Sequence, residues 1–203
     1  THERLKDPPV FVWPAQPMDF LKCFFCYPGY LMPWNTVYAI VGTLLWLYAT
    51  PSMETMKTFA PGWIAYLLLR NAALVFLFFG AFHLRLYMQK KQGTTFKYNA
   101  KWPSTGNSAF LFGNQTVDNV IWTFASAVPV WTAFEGLTLW AFANGIIPYV
   151  DFAEHPFYCV AIMLLIPAFR DLLFSLVHRL TPWPPLYHAV HKLHHNNVNP
   201  GPW

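Results

Sequence analysis

The chain has 203 residues, of which 55% are hydrophobic and 19% aromatic, while only 11% carry a formal charge, against roughly 25% in an ordinary soluble domain. That balance argues against a soluble domain and fits a protein of the bilayer. The net charge of +4 calls for no nucleic acid; it suits an anionic membrane leaflet.

The first stretch, "THERLKDPPVFVWP", has neither a basic start followed by an apolar core nor a cleavage site, so no secretory signal is expected there. Residues 1–30 are expected to lie outside the membrane. Cys23, Cys26 and Cys159 cannot all pair with one another, and the single CxxC has no second one to complete a tetrahedral zinc site. They are predicted to be reduced thiols that pack as small apolar residues.

A hydrocarbon core takes about 20 apolar residues as helix, and four stretches supply that. They are predicted at 31–50, 62–87, 117–143 and 156–177, the first stopped by Thr50-Pro51-Ser52 and the third by Asn144-Gly145. The fold class expected is therefore all-α, an integral membrane four-helix bundle spanning 31–203. Lys90, Lys91, Lys97 and Lys101 lie between the second and third spans, whereas the loop after the third carries Asp151 and Glu154 and no lysine or arginine. The positive-inside rule then puts the lysine loop, both ends of the chain and the histidine-rich tail 178–203 on the cytosolic face or its organellar equivalent.

Ionisable groups inside spans are costly and need partners. Arg70, Glu135, Arg170 and Asp171 are the candidates. Glu135 reads either as a helix-packing carboxyl, protonated or paired with Arg70, or as a buried acid near a substrate or metal. Arg170 and Asp171 can form a hydrated ion pair near the membrane edge.

The stretch "HRLTPWPPLYHAVHKLHH" holds five of the eight histidines. His191, His194 and His195 fall at i, i+3 and i+4, and His188 precedes His191 by one turn, so a helix would gather all four on one face where a metal could bind. Imidazole suits iron, zinc and copper alike. A surface helix is predicted from Tyr187 to His195.

"RDLLFSLVHRLTPWPPLYHAVHKLHHNNVNPGPW" resembles the second half of the fatty acid hydroxylase and sterol desaturase superfamily, membrane-bound histidine-rich di-iron oxygenases. The likeness extends upstream through "YPGYLMPWN", "HLRLY", "QGTTFKYN", "FLFGNQTVDN", "WTAFEGLTLWAFANG" and "LLIPAFRD", and covers nearly everything after Tyr27. It implies two irons in a cytosol-facing histidine cluster, O2 activated with electrons from a redox partner, and hydroxylation or desaturation of lipid C–H bonds. The cofactor supplies that chemistry and the protein supplies placement.

Carried over residue by residue, the superfamily's HxxHH box matches His191, His194 and His195; its HR pair matches His178 and Arg179; and His83 matches the histidine of "HLRLY". The resemblance makes His178, His191, His194 and His195 metal ligands, with His83 as a further candidate; His188, on the same helical face by spacing, is a candidate replacement ligand, and Glu135, Asp171 and Arg179 are candidates for the supporting shell. Two expected ligand positions hold Leu173 and Pro182 instead, and neither side chain can coordinate a metal. Related sequences also continue beyond "NPGPW" into further histidines.

These departures point to a catalytically degenerate member, a structural or lipid-holding membrane subunit with no iron or one ion, whose partners are membrane lipids and other membrane subunits. The alternative is an active O2-dependent di-iron lipid hydroxylase or desaturase, completed by further C-terminal histidines and served by an electron donor. A channel or transporter is disfavoured, since no internal repeat or matching pair of broken helices occurs. An apolar tunnel opening toward the histidine face is expected, with Trp122, Phe124, Trp131, Phe134 and Trp140 as candidate lining.

Overall fold

The computed structural model describes residues 12–95, 97, 99–187 and 201–203. Every regular element among them is helical, and the one β feature is an isolated antiparallel bridge between Thr105 and Asn114. Two compact units result. One gathers the N-terminal part up to Thr50 with Val150–Val177, and the other gathers Pro51–Tyr149 with the chain from His178 onward.

In the first unit, α1 (Pro17–Phe25) begins with proline at its first position, where the missing N–H costs no hydrogen bond. A wide π-type turn at Leu31–Asn35 leads into α2 (Thr36–Ala49). The predicted span 31–50 is thus not one regular helix, because Met32 is extended (φ −113, ψ 134). Proline cannot donate to a helix ladder, and it pushes the residue before it out of helical conformation; Pro33 does both here. The unit's other long helix, α7 (Pro156–Leu180), carries Pro167 in its interior. Thr43 Oγ1 donates to Met163 Sδ at 3.5 Å, and Tyr30 Oη to the Leu164 carbonyl at 3.0 Å.

The second unit starts with α3 (Met53–Met56), capped by Ser52, whose side chain accepts from Thr55 N. Next comes α4 (Pro61–Phe82), extended by a wide turn over His83–Met88. After the lysine loop, α5 (Gln115–Trp122) begins on Asn114, whose Oδ1 accepts from the amides of Thr116 and Val117 at 3.0 and 3.2 Å. A wide turn at Thr123–Ala127 joins it to α6 (Val128–Ala143). The short α8 (Pro184–Leu186) follows later in the chain. The surface helix expected from Tyr187 lies, from His188 on, outside the described residues.

Helices α4 and α6 run antiparallel, as their contact ladder shows. Asn144 Nδ2 reaches the Lys57 carbonyl at 3.0 Å, and Phe59 stacks on Trp140 with ring centres 5.0 Å apart. One turn further, the Trp63 ring lies over Gly136, where an added Cβ would sit 3.7 Å from it. A residue without a side chain on one helix admits a large ring from the other, the small-residue packing usual between membrane helices.

Among the described residues, three helical segments are long and apolar enough to cross a membrane: Pro61–Met88, Gln115–Ala143 and Pro156–Leu180. Little of them is covered by other parts of the chain, and in Pro156–Leu180 no residue is buried. Helices so apolar and so bare require an apolar surrounding, as lipid supplies.

Candidate functional site

The polar heart of the second unit is built on two turns of α4 and α6. Arg70 and Asn71 occupy the middle of α4, and Thr132 and Glu135, three residues apart, share a face of α6. Arg70 Nη2 donates to Glu135 Oε1. Asn71 binds both ends of this ion pair: its Oδ1 accepts from Arg70 Nε and Nη2 at 3.2 and 2.9 Å, and its Nδ2 donates to Glu135 Oε2 at 2.7 Å and to Thr132 Oγ1 at 3.1 Å. Thr132 Oγ1 in turn donates to the Val128 carbonyl at 2.8 Å.

Asn71 therefore uses all four of its hydrogen-bonding positions, which is what full burial of an amide demands. The side chains of Arg70 and Glu135 are only 10% and 23% exposed. The 28-residue segment Pro61–Met88 is about 42 Å long, close to a full bilayer with its headgroup layers. Arg70, nine residues in, lies about 14 Å along the helix, well inside the apolar segment. At that depth a lone charge is expensive and a paired, hydrogen-bonded one is tolerated.

Sequence inspection picks out Arg70 and Glu135 but misses Asn71 and Thr132. The signal was there: Asn71 is an uncharged polar residue inside an apolar helix, and Thr132 stands one turn from Glu135.

The candidate metal ligands fare differently. His83 opens the wide turn after α4, its ring stacked on Tyr87 (5.8 Å between centres, 9° between planes) and tilted over Trp203 at 6.2 Å. Its Nδ1 is buried and has no hydrogen-bond partner among the described residues. His178 and Arg179 sit in the last turn of α7, and Asp171 bonds its neighbour Arg170 at 2.9 Å in an exposed pair. His188, His191, His194 and His195 lie outside the described residues. Among the described residues no three His, Cys, Asp or Glu side chains come together as a metal site requires. The donors described do not by themselves make up the iron site that the resemblance implies.

Two grooves complete the picture. That of the first unit, about 700 Å³, runs between the start of α2 and the middle of α7, walled by Tyr30, Trp34, Tyr38 and Met163 and ending at Arg170 and Asp171. That of the second, about 330 Å³, is bordered by Val75, Phe79, Val128, Trp131 and Trp203. Of the five aromatics expected to line a tunnel, Trp131 borders this smaller groove. Phe124 packs on Trp203 and Trp140 on Phe59, while Trp122 and Phe134 are exposed.

Fold and site together define a helical protein with three helices of membrane-crossing length and apolarity and a hydrogen-bonded ion pair between two of them. No protein-family model matches the chain, and neither a curated protein nor a solved structure matches it.

Proposed function

We propose that this chain is a catalytically degenerate member of the fatty acid hydroxylase and sterol desaturase superfamily that serves as a lipid-holding membrane subunit. The proposal includes the four-span topology, with α2 and its preceding turn as the first span, and the histidine-rich tail on the cytosolic face.

The observation that carries lipid holding is the groove of the first unit. Its volume falls in the range of small-molecule sites, its walls are aromatic and aliphatic, and its one charged end presents Arg170 beside Asp171. That is the chemistry of an acyl chain with a polar head. The apolar positions of α7 support a subunit role, because Leu172, Leu173, Phe174 and Leu176 are exposed and need lipid or a partner helix against them. Leu173 and Pro182, at two positions where related sequences carry histidine, argue for degeneracy.

One observation favours the second reading, an active di-iron hydroxylase or desaturase drawing on an electron donor: the buried Nδ1 of His83 has no hydrogen-bond partner among the described residues. Metal analysis of the full-length purified protein separates the two. At most one equivalent of iron, no O2-dependent lipid oxidation and co-purifying lipid support the degenerate subunit. Two equivalents with lipid oxidation overturn it, and absence of bound lipid removes the holding role.

A further inference from the structure

We propose that Lys90, Lys97, Tyr87 and Trp102 form a clamp for the phosphate of an anionic phospholipid at the Met88 end of the α4 segment. The proposal rests on the α4 segment crossing a membrane and not on the superfamily resemblance.

The charge pattern comes first. Arg85, Lys90, Lys91, Lys97 and Lys101 follow one another with no carboxylate between His83 and Asp118. Local structure then gathers two of these cations. Lys90 holds φ +49, the left-handed conformation usual for glycine just past a helix end, and the amide of Lys91 reaches back to the Arg85 carbonyl at 3.3 Å. A lysine in that conformation is strained, and such strain is a pointer to function. Tight turns follow, in which Gly93 N donates to the Lys90 carbonyl at 2.9 Å and Lys97 N to the Thr94 carbonyl at 3.1 Å, bringing Lys97 back beside the helix end.

The result is two ammonium groups on one indole. Lys90 Nζ lies 4.9 Å and Lys97 Nζ 5.0 Å from the centre of the Trp102 ring. Lys97 is held further by Tyr87, 4.7 Å from the ring centre and 3.3 Å from the hydroxyl it donates to. Tyr87 meets Trp102 edge to face at 5.6 Å. Among the described residues no carboxylate forms a salt bridge with either lysine. A ring face attracts a cation but does not neutralise it, so two ammonium groups each about 5 Å from one ring centre leave local positive charge that favours an anion beside them.

Position selects which anion. A segment of about 42 Å puts its end among the headgroups, and Trp and Tyr are the aromatic residues that favour that depth. The phosphate of an anionic lipid is the negative group fixed there, so it is the partner to which the clamp fits.

The test uses the full chain in phosphatidylcholine bilayers with spin-labelled phosphatidylglycerol and spin-labelled phosphatidylcholine, reading the relative association of the two probes. The wild type is expected to prefer phosphatidylglycerol. Lys90→Gln with Lys97→Gln should lower that preference about fivefold more than Lys91→Gln with Lys101→Gln does. Trp102→Leu, which keeps every charge, should also lower it, with helix content unchanged by circular dichroism. The clamp is overturned by equal losses in both lysine pairs, which would mean diffuse attraction, by an unchanged preference in Trp102→Leu, or by no preference in the wild type. It is equally overturned if inorganic phosphate or an oligonucleotide displaces the lipid probe beyond the effect of chloride at matched ionic strength.

Discussion

Replacing Glu135 by alanine removes the carboxylate to which both Arg70 and Asn71 donate, while the guanidinium stays in the middle of the apolar helix α4. Breaking a buried ion pair by deleting one partner costs about 3 to 5 kcal/mol. Arg70 keeps its two bonds to Asn71 Oδ1, which places Glu135→Ala at the lower end, about 3 kcal/mol or roughly a 150-fold shift in the unfolding equilibrium. Replacing both members, Arg70→Met with Glu135→Met, removes the charges together and should return stability to within about 1 kcal/mol of wild type, because apolar side chains of similar volume often substitute for buried ion pairs without loss. Unfolding by SDS in mixed micelles, followed by far-UV circular dichroism, measures Glu135→Ala beside wild type, Arg70→Met, Glu135→Met and the double variant, and these last four yield the coupling. A Glu135→Ala protein within about 0.5 kcal/mol of wild type, or a double variant as unstable as the sum of the singles, would refute the account of the pair as a neutralised lock between α4 and α6.

Gly29→Ala should destabilise the first unit by about 1 to 3 kcal/mol, since the new Cβ would clash with the Cys26 and Cys23 carbonyl oxygens and backbone would have to move; the same titration, read through a fluorescent label on α1, checks it. Asn114→Ala should cost about 1 kcal/mol by uncapping α5, seen as faster hydrogen exchange of the Thr116 and Val117 amides.

Hydropathy is a local property, and it located three long helices nearly to the residue: 62–87, 117–143 and 156–177 against Pro61–Met88, Gln115–Ala143 and Pro156–Leu180. The break in the first predicted span was also legible, because Pro33 restricts Met32 whatever the rest of the chain does. The spacing of His188, His191, His194 and His195 is equally a fact of the sequence, but spacing alone does not bring a metal site together. Partnership is where reading along the chain stopped. Glu135 could be protonated, paired or poised for chemistry until α4 and α6 came together antiparallel and set Arg70 and Asn71 against it. The lysine loop read as an orientation signal and not as a site, because its sharing of one indole depends on a left-handed turn at Lys90 and on Trp102 returning to the helix end. Periodicity marks which residues are apolar but not what covers them, so five aromatics of one span looked equivalent until packing put Trp131 at a groove and left Phe134 exposed. Composition and local sterics determined the helices; contacts between residues distant in sequence, 65 positions apart for Arg70 and Glu135, decided which polar groups met, because those pairings exist only once two helices share a face.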